Sequence, residues 1–217
     1  MNKTVLKELK AHIKQLLKEE IIKKDGVISI REDNLMWITT KNSDLTTIGE
    51  DSFTEIDLIN LTPTKKGKLP ASEFLIHAAI YNKQSFTKAI IHSTQESVLC
   101  ASKAGKTIYP TLDDMAQIAG TCVKVSDVPN VLSNDEAKKM LAKLKGKNAI
   151  FLSKRGILCC SASLYDAHAV AMVMEKACKS VIEATFLGKA IRINPIEAAL
   201  MRFVYQKKYS KKAHASK

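Results

Sequence analysis

The stretch Gly67-Lys68-Leu69-Pro70-Ala71-Ser72-Glu73-Phe74-Leu75-Ile76-His77-Ala78-Ala79-Ile80-Tyr81 decides most about this chain of 217 residues. Pro70-Ala71-Ser72-Glu73 reads as a helix opening, led by Ser or Ala, with Glu73 in the first turn where the helix dipole favours a carboxylate. Phe74, Ile76, His77, Ile80 and Tyr81 then recur at helical spacing. Upstream lie a polar loop over residues 62–68 and a strand near 54–61. Before them, β-rich runs at 27–31 and 35–40 are separated by Glu32-Asp33-Asn34, a tight hairpin signal. The chain begins with a helix over residues 3–24, ended at Asp25-Gly26, where glycine supplies the positive φ of a turn. Downstream, residues 89–92 form a short buried strand that ends in His92, and 149–152 pairs with 156–160 across Lys154-Arg155. Helices are predicted over 134–144, 164–187 and 195–205. Strands interrupted by helices, with hairpins, give a layered α/β or α+β domain around one sheet. No internal repeat and no dividing linker is visible.

Composition agrees. The chain is 46% hydrophobic and 26% charged, as in ordinary globular proteins. At this length about 70% of the unfolded surface is buried, so a core forms without staples. Eight Gly and five Pro exclude collagen-like or Gly/Pro-rich disorder. No apolar run approaches roughly 18 residues, and the opening MNKTVLKELKAHIKQ lacks a signal-peptide core. A soluble, cytoplasmic domain over residues 1–206 with a basic tail at 207–217 is expected, with no membrane partner. The five cysteines include no C-x-x-C pair, so neither a disulfide framework nor a zinc ribbon is indicated. They read as small buried hydrophobes in a reducing compartment. Strand alternation sends Cys159 and Cys160 to opposite faces.

Charge is the unusual feature: 34 Lys+Arg against 22 Asp+Glu leaves +12. The tail carries Lys207, Lys208, Lys211, Lys212 and Lys217 with no acid. The first helix carries Lys3, Lys7, Lys10, Lys14 and Lys18, a basic stripe opposite Val5, Leu6, Leu9, Ile13, Leu16 and Leu17. Such a stripe can track phosphates, but no recognised motif supports it, so nucleic-acid or polyanion binding is the minor reading and a solvated face the major one.

Three polar residues stand at the edges of buried elements: Glu73 at a helix start, His92 at a strand end and Arg155 in a turn. Each alone has a structural explanation. In order, with their surroundings, they resemble the class II aldolase/adducin family. The quoted stretch is similar to its "kPSSE…H-aiY" signature. Ile90-Ile91-His92-Ser93-Thr94 stands in the place of "vvH-x-H", and Ile150-Phe151-Leu152-Ser153-Lys154-Arg155-Gly156-Ile157 in that of "lL-nHGv". Asp25-Gly26-Val27-Ile28-Ser29-Ile30-Arg31 resembles "GNvSvR". The resemblance covers nearly the whole chain. It implies a three-layer α/β/α domain with a central, mainly antiparallel sheet, and a ring-like homotetramer with active sites between subunits.

The resemblance also implies a site of three histidines binding a divalent metal, usually zinc, with the glutamate as acid/base. Here the glutamate is Glu73 and the first histidine position is His92, but Thr94 and Arg155 stand at the other two. A threonine hydroxyl is a poor zinc ligand, and a guanidinium cannot be deprotonated to become one. No cofactor is therefore expected. Of the implied phosphate contacts, Gly26 and Ser72 match, Val27 and Ala71 remove polar donors, and Lys41 supplies a charge. Gly26, Lys41, Ser72 and Arg155 form the candidate ligand set for a small phosphorylated or carboxylate ligand.

Three functions follow. The first is a family member that kept the fold, lost metal-dependent carbon–carbon cleavage and serves as a binding or assembly module. The second is a working sugar-phosphate aldolase (an aldehyde-lyase) or epimerase with zinc or another divalent metal in a rearranged site. The third is the polyanion reading. The residues favour the first. Arg155 is expected to pair with Glu73 in place of the metal, with His92 and Thr94 completing a hydrogen-bonded cluster, or else to swing into water.

Overall fold

A computed structural model of the protein describes residues 3–64, 69–128 and 133–215. Gly67 and Lys68 of the quoted stretch, and Ser216 and Lys217 of the basic tail, lie outside them. In chain order the elements are α1 (Lys3–Lys18), β1 (Ile28–Glu32), β2 (Leu35–Thr39), β3 (Phe53–Asp57), β4 (Thr62–Pro63), α2 (Phe74–Lys83) and β5 (Ala89–Ser93). There follow α3 (Glu96–Ala104), β6 (Val125–Ser126), α4 (Asn134–Leu144), β7 (Ala149–Leu152), β8 (Gly156–Ser161), α5 (Leu164–Phe186) and α6 (Pro195–Ala215). The eight strands form one sheet in the order β4-β3-β2-β1-β5-β8-β7-β6. Every pairing is antiparallel except that of β6 with β7.

Alternation along the strands divides the core in two. Ile28, Ile91, Phe151, Ile157 and Cys159 face one way, against Leu9 and Ile13 of α1, Val98 of α3, and Val170 and Met174 of α5. Met36, Ile38, Ile90, Ile150, Leu158 and Cys160 face the other, against Ile76 and Ile80 of α2 and Met140 and Leu144 of α4. Helices thus cover both faces of a mainly antiparallel sheet, the three-layer arrangement expected. Cys159 and Cys160 part to opposite layers as their spacing requires. All five cysteines are free thiols, but only Cys159, Cys160 and Cys178 are buried as expected; Cys122 is half-buried and Cys100, on α3, is exposed. Among the described residues, no helix is long and apolar enough to cross a membrane.

Three expectations are corrected. The first helix stops at Lys18 rather than Lys24. Glu20 takes a left-handed φ of 55°, and the Ile21 amide turns back to the Leu16 carbonyl while that of Glu20 meets Leu17 (2.9 and 3.1 Å). This is a Schellman ending, secured by the burial of Ile21 and Ile22. Gly26 has no positive φ. It is needed for close approach, since a Cβ there would lie 2.9 Å from the Lys23 carbonyl oxygen and 3.0 Å from Ile22 Cβ. The last helix runs on to Ala215, ten residues beyond its expected end at residue 205. Lysine and alanine are strong helix formers, so the basic segment prolongs the helix.

Local pattern does not announce α3 or the π-helical turn at Met115–Ala119, because distant side chains secure both. The Arg202 guanidinium, from α6, donates to the Gln117 and Ile118 carbonyls (2.7 and 2.6 Å) at the end of the π turn. The Glu175 carboxylate, from α5, accepts from the Ser97 and Val98 amides of α3 (both 2.9 Å), satisfying the open donors of that helix end. Since α3 anchors the chain just beyond His92, this contact also steadies the strand end. Replacing Glu175 by alanine is expected to cost about 1–2 kcal/mol in urea unfolding, the range of a lost helix cap. An unchanged midpoint would show that water caps α3 equally well.

Candidate active site

Three elements meet at one end of the sheet. Glu73 caps the start of α2 with φ −80° and ψ 0°, so it precedes the first turn rather than lying in it. Its carbonyl receives the His77 amide (3.1 Å), and its side chain does not bond its own helix end. His92 is next to last in β5, its amide held by the Val27 carbonyl (2.9 Å). Arg155 sits in the turn between β7 and β8, after Lys154 at φ 62°. Gly156 follows at φ 95°, where a Cβ would fall 2.3 Å from the Ser93 carbonyl oxygen. Only glycine lets the turn press this close to the end of β5, and that approach brings Arg155 beside His92.

The side chains then interlock. Arg155 Nη2 donates to Glu73 Oε1 in an ion pair. Ser72 Oγ donates to Glu73 Oε2 (2.8 Å). His92 Nε2 lies 2.6 Å from the Arg155 carbonyl oxygen. That oxygen can only accept, so Nε2 carries the hydrogen, and neutral His92 turns its Nδ1 lone pair toward Glu73 Oε1 at 3.8 Å. The pairing expected of Arg155 is therefore present, and the alternative of a side chain swung into water is not. Thr94 does not join as expected. It contributes its backbone amide, to the Ile21 carbonyl (3.4 Å), and among the described residues its hydroxyl makes no bond to the cluster.

Burial acts to raise the Glu73 carboxyl, but the Ser72 hydroxyl and the Arg155 guanidinium outweigh it and hold it below the usual carboxylate range. Burial lowers His92, against the Arg155 carbonyl and Glu73, which raise it. The site thus carries an ionised acid, a neutral imidazole and a fixed cation.

Beneath it runs a buried polar chain. Ser29 Oγ lies 2.7 Å from His77 Nδ1 and 2.8 Å from the Tyr81 hydroxyl. His77 Nε2 is buried with no hydrogen-bond partner among the described residues. Burial pushes His77 down to about 3 and the Tyr81 phenol well up. Sequence reasoning missed Ser29, whose signal was a small polar residue between Ile28 and Ile30 on a strand reading as half buried.

The remaining candidates gather at the same sheet end. Ala71 N meets the Thr39 carbonyl (2.9 Å) and Lys41 N the Leu69 carbonyl (2.8 Å), so Lys41 and Ser72 stand on adjacent segments, both exposed. Gly26 precedes Val27, whose carbonyl holds His92. As metal donors the cluster offers one imidazole and one carboxylate already on a guanidinium. Among the described residues, no three His, Cys, Asp or Glu side chains are grouped as a metal would need.

Comparison with known proteins agrees with this architecture. The profile of the Class II Aldolase and Adducin N-terminal domain matches residues 20–182. An L-fuculose phosphate aldolase of Methanocaldococcus jannaschii is 26% identical over 169 residues, which cover 73% of this chain and 84% of that protein. The enzyme of the same name from Escherichia coli is 24% identical over 145 residues, 65% of this chain and 65% of its own length. A solved L-fuculose 1-phosphate aldolase superposes with a TM-score of 0.87 at 22% identity, covering 95% of this chain and 98% of that one. At that identity the likeness concerns the fold.

Proposed function

The chain belongs to the class II aldolase and adducin family, and from that membership we propose that it is a divergent member in which Arg155 replaces a metal ligand. In this reading metal-dependent aldol cleavage is lost, and the cleft serves a small phosphorylated or carboxylate ligand or an assembly role, with Gly26, Lys41, Ser72 and Arg155 as its ligand set. The observation that carries it is the Arg155–Glu73 ion pair, with His92 Nε2 committed to the Arg155 carbonyl. Zinc takes three or four N, S or O ligands, and this cluster does not fit it. A guanidinium has no lone pair to offer, and its charge repels a dication by about 8 kcal/mol at ~4 Å and an effective dielectric of ~20, twice the energy of two unit charges. Its planar fork suits a carboxylate, so Arg155 balances the buried Glu73 charge as a cation would, without supplying a Lewis acid.

Zinc uptake tests the reading. The protein purified without added zinc is expected to hold far less than one equivalent per chain, and the double variant Thr94→His/Arg155→His to take up one. One tightly held zinc in the unmodified protein, or equal uptake by both, overturns it.

The retention of Glu73 and His92 within 3.8 Å of each other favours one alternative, an active sugar-phosphate aldolase or epimerase. It would use zinc or another divalent metal, Glu73 as acid/base, His92 as a ligand and a further ligand from another subunit. Cleavage of L-fuculose 1-phosphate that depends on added zinc would establish it. Self-association as a homotetramer accords with the apolar face that α6 leaves exposed through Ile196, Leu200, Phe203 and Val204. A cytoplasmic location accords with the five free thiols, since disulfides are rare in reducing compartments.

A further inference from the structure

Away from Glu73 and Arg155, a cleft of about 740 Å³ opens between residues 106–111 and the connection from α5 to α6. Its volume lies in the range that holds a ligand of nucleotide or drug size, roughly 300–1,000 Å³. Lys106, Lys189 and Arg192 line it, and no acidic residue does. A +12 chain spreads cations widely, so three lysines or arginines alone would mean little; the construction around them is more particular. The Arg192 guanidinium carbon stands 4.2 Å from the Tyr109 ring centroid, a cation–π contact that orients its fork. The Ile193 amide bonds the Pro110 carbonyl (2.8 Å), tying the two walls together one residue beyond each member of that stack.

Thr111, also in the lining, keeps its hydroxyl oxygen out of water with no partner among the described residues, an acceptor or donor awaiting use. Ile108 and Val181 give the cleft an apolar side. The end of α5 borders it, where open carbonyls would repel an anion. There the Glu183 and Thr185 carbonyls are already taken by the Leu187 and Gly188 amides. The result is a concave site with cationic, aromatic and aliphatic walls.

We propose that this cleft is a second ligand site, one that binds a nucleoside phosphate. The three cations call for a dianion or more, and a guanidinium fork matches phosphate oxygens in pairs. The volume exceeds what inorganic phosphate fills, and Tyr109, Ile108 and Val181 offer the flat and apolar contacts that a nucleoside supplies.

Calorimetric titration with AMP, and with inorganic phosphate of the same charge, tests the assignment. One AMP is expected to bind per chain, more tightly than phosphate, with phosphate competing. Arg192→Ala is expected to weaken AMP about tenfold or more, the effect of one lost charge-assisted contact, and Arg192→Ala/Lys189→Ala to abolish it. The control removes Lys7, Lys10 and Lys14, which line another basic cleft beside Leu45 and Thr46; that triple alanine variant is expected to bind AMP as the unmodified protein does. Absence of AMP binding, binding no tighter than that of phosphate, survival of binding in the double variant, or equal loss in the lysine control would each overturn the proposal.

Discussion

Replacing Arg155 by alanine is expected to destabilise the protein by about 3 kcal/mol at pH 7, the lower end of the cost of stranding one member of a buried ion pair. The lower end applies because the Glu73 side chain is 7% exposed but that of Arg155 is 30% exposed, so water already screens part of the attraction. The loss comes from Glu73, whose carboxylate would keep only Ser72 and a neutral His92. Adding Glu73→Gln should recover most of it, since a neutral amide needs no counter-charge. Acid should do the same. In the unmodified protein the Glu73 carboxyl is depressed, so its contribution is present above the unfolded value and lost as pH falls through the folded one. In Arg155→Ala, burial acts without the guanidinium to oppose it, the carboxyl rises, and the folded state tolerates protonation. The gap between the two proteins in urea midpoint should therefore close between pH 7 and 4. Equal midpoints at pH 7 would mean that Arg155 compensates nothing.

Acid should also act through His77. Burial holds this ring down to about 3, whereas in the unfolded chain it titrates near ~6.5. A depressed folded value means that the unfolded state binds more protons. The stability is thus fully present above pH 6.5 and lost progressively as pH falls toward 3. One such group contributes about 1.4 kcal/mol per pH unit, or about 3 kcal/mol between pH 6.5 and 4.5. His12 and His92, also depressed by burial, act in the same direction. His77→Gln should flatten the curve of unfolding free energy against pH by one proton, and the His77 ring signals should stay in their neutral positions down to pH 4.5. Parallel curves for the two proteins, or a ring titrating near 6.5, would show that the Ser29–His77–Tyr81 chain opens to water before the protein unfolds.

What the residues determined by themselves is the layered sheet and six of its eight strands; β4 lies in a segment that reads as loop and β6 in one with no strand pattern, two-residue strands that only their pairing to β3 and β7 defines. Alternation at Ile28-Ser29-Ile30, Ala89-Ile90-Ile91 and Cys159-Cys160 is a local property, as are the hairpin at Asp33-Asn34 and the apolar spacing of α2. Such patterns survive because each strand must bury its own face whatever its neighbours do. The order of Glu73, His92 and Arg155 along the chain, read against the family's signatures, likewise singled out three residues that the fold brings together. It did not say where the side chains go. Arg155 reaches Glu73 because Gly156 fits against the Ser93 carbonyl and the Arg155 carbonyl engages His92, contacts between segments far apart in sequence. Thr94, read as a partner, is drawn by its backbone to Ile21, because α1 ends at the left-handed Glu20 and folds Ile21 back beneath the site. α3 and the π turn were invisible for the same reason, their ends being satisfied by Glu175 and Arg202 from other helices. Local pattern specifies which face of an element is buried; which polar group meets which is set by the packing of distant segments, and only the tertiary structure contains it.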